Sequence, residues 1–477
     1  MQDDRPPLIS AADWAKTPPA VRAAYLELVQ MVRDLSIEVQ ELRARVNQTS
    51  RNSSQPPSAD PPSAPPPPAR VPRGRKRGAQ PGHPDQHRPL VPPDQVDKIV
   101  VLRPTTCPVC ATALPPDLPD AMPVERHQVW ELPPITPTIT EYQQHTVCCP
   151  TCQQLLIKAL PSETPPGACG PRLTALIGLL HGRYRLSTRE TVAFVADVCG
   201  VAVSLGSIAT SCGRVSDALA PIDATIQTTV QAQPQLHVDE TSWREHQQRN
   251  WLWVAVSPVA TCFRIDPSRG QQALRRLIGE AYGGVVHSDR GSAYHSLPER
   301  QRQLCWAHLV RNLQGLVDHQ HRDSSLAQRM LTQTHALFAA WRAYRIGFFD
   351  QVALQQALMP VRLALHDVLS GGATSSWQKL RTFCRDLLTH WEALWAFSRV
   401  EGLEPTNNTA ERAIRPAVLW RKGCFGTQSQ AGSHFVERML SVRASCAQQG
   451  RNLFAFLTEA MCAAWAGQPA PTLFYTP

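Results

Sequence analysis

The chain has 477 residues, 48 Lys plus Arg against 39 Asp plus Glu, a formal charge of +9 and 43% apolar residues, enough to build real cores, which excludes a wholly disordered protein. At roughly 150 residues per domain about three domains fit. No run approaches the ~18 apolar residues of a membrane helix, the start Met1-Gln2-Asp3-Asp4 is acidic where a signal peptide is basic, and 14 cysteines fall far below disulfide-scaffold density, so the expected setting is a reducing cytoplasm.

The first predicted element is a heptad helix over residues 20–48. Val21, Leu28, Leu35 and Leu42 occupy one seam position, and Tyr25, Val32, Val39 and Val46 follow each by four residues. Leu at d with mostly β-branched residues at a favours a parallel two-stranded coiled coil and a homodimer or higher oligomer; an amphipathic helix packed on its own chain is the alternative. Residues 49–98 form a Pro-rich and basic linker. Half of residues 55–72 are proline, and Arg70, Arg73, Arg75, Lys76 and Arg77 follow as a dense cationic run. Such a run suits phosphate neutralisation on nucleic acid, against the plainer role of a solubilising linker.

Residues 99–158 carry Cys107-Pro-Val-Cys110 and Cys149-Pro-Thr-Cys152, separated by strand-like runs. Two matched knuckles are the usual tetrahedral thiolate set for structural Zn²⁺ in a zinc ribbon, with Cys148 an adjacent spare; a redox dithiol or buried thiols do not account for the matching. Over residues 170–222 the pattern turns helical. Ser187 to Val198, a Gly200 turn, and a Ser204-capped helix through Leu219 read as a helix-turn-helix-like DNA-binding segment or a plain helical hairpin.

Past Pro234 the texture changes to strands at Leu236–Trp243, Trp251–Val256 and Cys262–Ile265, a helix at Gln271–Glu280, and a further run from Gly284 to Asp289. Asp239 and Asp289 end apolar runs and face a common crevice in an α/β layout spanning residues 234–425. Glu411 offers a third carboxylate. Its local context competes, because Asn408-x-x-Glu411 is a capping-box spacing and Arg415 lies at i+4. Three carboxylates form a hard-oxygen set that suits Mg²⁺ or Mn²⁺, and two such ions serve in-line phosphodiester displacement. Residues 314–402 form a helical insertion containing Trp341, Trp377, Trp391 and Trp395, better placed in a core than on a base, and residues 426–477 form a C-terminal helical segment.

In order, the chain contains Asn52-Ser-Ser-Gln-Pro-Pro-Ser-Ala-Asp60, Arg77-Gly-Ala-Gln-Pro-Gly-His83, the paired knuckles, His237-Val-Asp239-Glu-Thr, Leu304-Cys-Trp-Ala-His-Leu309 and Asn407-Asn-Thr-Ala-Glu411-Arg-Ala-Ile-Arg-Pro416. Over nearly its whole length it resembles a DDE transposase of the insertion sequence 66 family, the TnpC type. The resemblance implies a multidomain α+β protein. Its parts are an N-terminal coiled-coil helix, a zinc ribbon, a helix-turn-helix-like segment and an RNase-H-like catalytic core with a helical insertion. It implies catalysis by Asp239, Asp289 and Glu411 with two Mg²⁺ or Mn²⁺ ions, structural zinc on Cys107, Cys110, Cys149 and Cys152, and double-stranded DNA as partner, both transposon ends and target. Accessory proteins of the same element and a nucleoid-associated place in a bacterial cytoplasm are further implications. Cys305 and His308 resemble the Cys-x-x-His element of several DDE groups, and are expected near the core rather than as a metal site. Arg290, directly after Asp289, either contacts DNA or caps a turn. A non-catalytic DNA-binding regulator, a decayed transposase occupying terminal repeats, and a simple metal-dependent nuclease are the alternatives.

Overall fold

A computed structural model describes residues 9–53, 60, 88–161 and 164–474. The basic run Arg70, Arg73, Arg75, Lys76 and Arg77, and the Pro-rich stretch apart from Asp60, lie outside the described residues. The chain divides into two compact units, Pro65–Pro137 and, together, Met1–Ala64 with Thr138–Pro477.

The larger unit begins with α1 (Ala11–Lys16), capped by the Ser10 hydroxyl, which accepts from the Asp13 N–H. Then comes α2 (Pro19–Val46), started by Pro at its first position, where a missing N–H costs nothing. Trp14 of α1 packs edge-on against Tyr25 of α2 at 5.3 Å. Val21, Leu28, Leu35, Leu42, Val32, Val39 and Val46, the predicted seam apart from Tyr25, are exposed along this helix. After a small hairpin of β1 (Thr146–Cys148) and β2 (Leu155–Ile157) come α3 (Pro171–Gly182), α4 (Thr188–Cys199) and α5 (Leu205–Gln231).

Local chemistry sets the ends of α4. Ser187 and Glu190 form a reciprocal capping box, and Gly200 at φ 66 ends the helix in the left-handed region. Ser204 caps α5, which runs on to Gln231 rather than stopping at Leu219. The helix runs on through Pro221, which lies on its exposed side, while Ile222, Ile226 and Val230 continue the buried stripe at i+4 intervals.

A five-stranded sheet follows: β3 (Gln235–Glu245), β4 (Gln248–Val256), β5 (Thr261–Asp266), the helix α6 (Gln271–Ile278), β6 (Val285–Ser288) and β7 (Arg302–Leu304). The spatial order is β5-β4-β3-β6-β7. The first three strands form an antiparallel meander, and β6 and β7 run parallel to β3. Beyond β7 lie α7 (Trp306–Asp318), α8 (Ser324–Arg345), α9 (Gln351–Gly372), α10 (Gln378–Thr389) and α11 (Ala396–Arg399), followed by α12 (Asn408–Cys424), α13 (Gln430–Gln448) and α14 (Leu453–Trp465).

Two cores hold the larger unit. One joins the sheet to α3, α5, α6 and α12–α14; the other, built on Trp306, Leu309, Leu365, Trp395 and Phe397, lies within the helical insertion. Trp341 and Trp395 are buried there, as core packing predicts, and Trp377 stacks on His321 at 4.6 Å. The N-terminal arm reaches this region too. Asn52 donates to Asp318 at 3.0 Å, and its carbonyl leaves no room for a Cβ at Gly315 of α7.

The open edge of β5 is sealed by side chains of α13. The N–H groups of Thr261, Phe263 and Ile265 donate to Ser445 Oγ, Ser441 Oγ and Glu437 Oε1 at 3.0, 2.9 and 2.6 Å. Alternate strand residues advance about 6.8 Å and four helical residues about 6 Å, so Glu437, Ser441 and Ser445 match three successive donors. An edge that would pair with another strand is thereby closed.

Candidate active site

The parallel pairing of β3 with β6 sets the site. Their register places Leu236 beside Val286 and His237 beside His287. Two residues further along each chain stand Asp239, inside β3 on the face of His237, and Asp289, directly after the last residue of β6. Beneath them the His237 and His287 rings stack at 4.0 Å. Both nitrogens of His287 are buried without a hydrogen-bond partner, and burial, helped by His237, holds its pKa well below the ordinary value, so the ring is neutral.

Each aspartate is pinned by one oxygen. Asp239 Oδ1 accepts from the Glu240 N–H at 2.9 Å, and Asp289 Oδ1 from the Gly291 N–H at 2.7 Å. A Cβ at Gly291 would come 2.9 Å from that carboxylate oxygen, which explains glycine there. Asp239 is pushed well above its ordinary pKa of 3.8, first by burial, then by Glu240 and Asp289, with a smaller contribution from Glu411. Glu240 is itself raised by burial and by Asp289, and is held by Tyr294 Oη at 2.7 Å and Arg269 Nε at 2.8 Å.

The third carboxylate comes from α12. Neither local alternative for Glu411 is realised: no side chain caps the helix start, and Glu411 Oε1 instead accepts from Arg311 at 3.1 Å, with His308 Nε2 at 3.5 Å. Both partners sit on α7, so the carboxylate points toward that helix rather than along its own. Among the described residues, Cys305, His308 and Glu411 are the group of three whose ligand atoms lie within 4.8 Å of one another. Burial pushes the Cys305 thiol up to about 11, which makes it a poor thiolate donor; its sulfur accepts the Asn407 N–H at 3.1 Å.

Asn407 is the residue that sequence reasoning quoted without giving it a role. It is buried, its Nδ2 donates to the Val238 carbonyl at 2.7 Å, and its Oδ1 lies 3.1 Å from His237 Nδ1. Because Nδ2 is committed to a carbonyl, the amide orientation is fixed and His237 Nδ1 carries the proton that Oδ1 accepts. Cys305 N–H in turn donates to the Ser288 carbonyl at 2.9 Å. A chain of bonds from β6 through Cys305 and Asn407 to β3 therefore sets where α12 begins, one turn before Glu411.

Arg290 does not cap a turn. Its guanidinium donates to Asp386 Oδ2 at 2.8 Å and Asn312 Oδ1 at 3.0 Å and lies 4.8 Å from the Phe383 ring centre, tying the loop after Asp289 to α7 and α10 of the insertion.

The two cysteine knuckles share one backbone pattern. Cys107 N–H donates to Thr112 O and Ala111 N–H to Cys107 O; Cys149 N–H donates to Gln154 O and Gln153 N–H to Cys149 O. Ala111 and Gln153 occupy the left-handed region at φ 57 and 60. The Thr112 hydroxyl draws the Cys110 pKa down to about 7, and hydrogen bonds within its knuckle lower that of Cys149. The strand-like runs expected between the knuckles form no strand over residues 114–145. No helix among the described residues is long and apolar enough to cross a membrane.

Residues 166–434, more than half of the chain, match the Transposase IS66 family, and residues 16–89 match a family of unknown function (DUF6444). The chain is 23% identical over 421 residues to "Uncharacterized protein y4hP" of Sinorhizobium fredii (strain NBRC 101917 / NGR234), covering 80% of this chain and 75% of that protein. With "Uncharacterized protein y4qI" of the same strain it shares 24% identity over 251 residues, 46% of this chain and 44% of the relative.

Proposed function

The chain belongs to the Transposase IS66 family, and from that premise we propose that it is a DDE transposase whose core is RNase-H-like and whose catalytic residues are Asp239, Asp289 and Glu411. The observation that carries this is the β3–β6 register, which brings two aspartates from distant sequence onto neighbouring strands, in mutual electrostatic reach of each other and of Glu411. An antiparallel meander extended by two parallel strands, with the third acid on a helix packed over β3 and β4, supports the fold assignment.

The donor set fits divalent ions. Asp239 and Asp289 each commit Oδ1 to a backbone N–H, leaving Oδ2 without a protein donor among the described residues, and Asp239 is raised first by burial and then by the neighbouring carboxylates Glu240 and Asp289. Bound Mg²⁺ or Mn²⁺ supplies charge neutralisation at the attacking and leaving oxygens of an in-line displacement. Asp239 and Asp289 hold that charge on the two neighbouring strands, the buried, stacked His pair backs them from beneath, and Asn407 sets the approach of α12. Glu411 completes the set; in the metal-free protein Arg311 takes its charge.

The same reading gives Cys107, Cys110, Cys149 and Cys152 to structural zinc, on the strength of their matched turns and the lowered thiol pKa values of Cys110 and Cys149. It gives Arg70, Arg73, Arg75, Lys76 and Arg77 to salt-sensitive DNA binding, the α4–α5 pair to recognition of transposon ends, and the exposed seam of α2 to a homodimer. DNA cleavage at transposon ends in Mg²⁺ tests the triad. Glu411→Gln should lose on the order of 10³-fold in rate while binding the same DNA as the parent; a variant that cuts at the parental rate removes Glu411 from the site.

A further inference from the structure

On the side of α12 away from the carboxylates lies a cavity of about 570 Å³. Ala413 and Pro416 line it, and at about 100° per residue they sit roughly 200° and 140° around the helix from Glu411. Its wall is apolar where Leu179, Phe263 and Leu440 contribute, and its polar side carries Arg183, Tyr184 and Arg443.

The arginines are unusual in having no counter-ion. Among the described residues, no carboxylate pairs with Arg183, Arg185 or Arg443, whereas Arg451, also at the cavity, is neutralised by Glu459 at 3.0 Å. Arg183 and Arg185 follow the carboxyl end of α3, whose dipole favours cations, but Arg443 comes from the interior of α13, where no dipole compensates it. Burial and the two neighbouring guanidiniums lower the Arg443 pKa to about 10. The amino end of α14 opens on the same cavity through Asn452, Leu453 and Phe454, adding the positive end of a 13-residue helix. Two cavity-lining guanidiniums without a carboxylate partner, the charge of Arg185 close by, a helix amino end and an apolar wall complement a phosphate attached to a nucleoside.

We propose that this cavity is an anchoring site for a phosphate of a DNA strand, held by Arg183 and Arg443, with the attached sugar and base against the apolar wall. It lies outside the carboxylate site, so the phosphate it takes is not the reacting one but one on DNA flanking it. The choice of DNA as the carrier rests on the transposase reading; the anion chemistry does not.

Thermal melting of the full chain with inorganic pyrophosphate as probe, against chloride at equal ionic strength, tests the chemistry. Pyrophosphate should raise the parental melting temperature and leave Arg443→Gln and the Arg183→Gln/Arg443→Gln pair unmoved. Without anion, Arg443→Gln should melt no lower than the parent, because it removes like-charge repulsion. DNA titrations test the source: the double variant should bind about tenfold more weakly, with a salt slope smaller by about 1. No melting shift in the parent, or an equal shift in the double variant, overturns the anion site. A pyrophosphate shift combined with parental DNA affinity and salt slope in the double variant overturns the DNA assignment. Failure of the triad would appear instead as cleavage by Glu411→Gln and would leave these titrations unaffected.

Discussion

Asp239→Asn should abolish DNA cleavage, by on the order of 10³-fold or more, and at the same time make the metal-free protein more stable at neutral pH. The second effect follows from the raised Asp239 pKa, caused first by burial and then by Glu240 and Asp289. The sign is opposite to that of a salt-bridged acid. Between the ordinary value of 3.8 and the higher folded value the native state binds more protons than the unfolded one, so stability falls as pH rises through that window. An amide has no such charge to bury. Melting curves of parent and variant should therefore converge in acid near the ordinary carboxylate pKa and separate as pH rises toward neutrality, the variant melting higher. Adding Mg²⁺ should raise the parent and narrow the gap, while leaving the variant nearly unmoved. DNA affinity should be unchanged, since Asp239 lies in a crevice and carries the wrong charge for phosphate.

Asn407→Ala should reduce turnover about 10- to 100-fold, the usual size for an outer partner that holds a ligand in place, without weakening DNA binding. Asn407 is a positioning residue. Its loss strands the Val238 carbonyl and His237 Nδ1–H and releases the start of α12, from which Glu411 projects one turn later. Each buried group left unpaired costs about 1–3 kcal/mol, so the melting temperature should fall as well. The discriminating readout is the Mg²⁺ concentration for half-maximal cleavage, which should rise while KM for DNA stays put. A loss of stability alone, with unchanged metal dependence, would assign Asn407 to folding only. Asn407→Asp should not rescue activity, because a carboxylate oxygen cannot donate to the Val238 carbonyl.

What the sequence disclosed and what it withheld divide along the range of the interactions. The strands β3 to β6 announce themselves through β-branched runs, and the α4–α5 pair through Ser187, Glu190, Gly200 and Ser204, because caps and alternation are local. The mixed α+β class was legible for the same reason. Glu411 was ambiguous, since its nearest competitors for a bond lie three and four residues away along the helix. The winner, Arg311, is 100 residues distant in sequence and arrives only through the fold. Arg290 pairs with Asp386 across 96 residues, and Asn407 joins β3, β6 and α7, so neither partnership leaves a periodic trace. The seal of β5 by Glu437, Ser441 and Ser445 has helical spacing, but nothing local says that a strand edge lies opposite.

The most direct test of the triad is strand transfer with pre-cut transposon ends. These carry a free 3′-hydroxyl and bypass the first hydrolysis, so the reaction isolates the displacement that the two adjacent aspartates are assigned to support. With Mg²⁺ or Mn²⁺ and a target plasmid, the parental protein should join the ends to target, and Asp289→Asn should bind the same ends yet yield no joined product. Joining by Asp289→Asn at the parental rate would contradict the account.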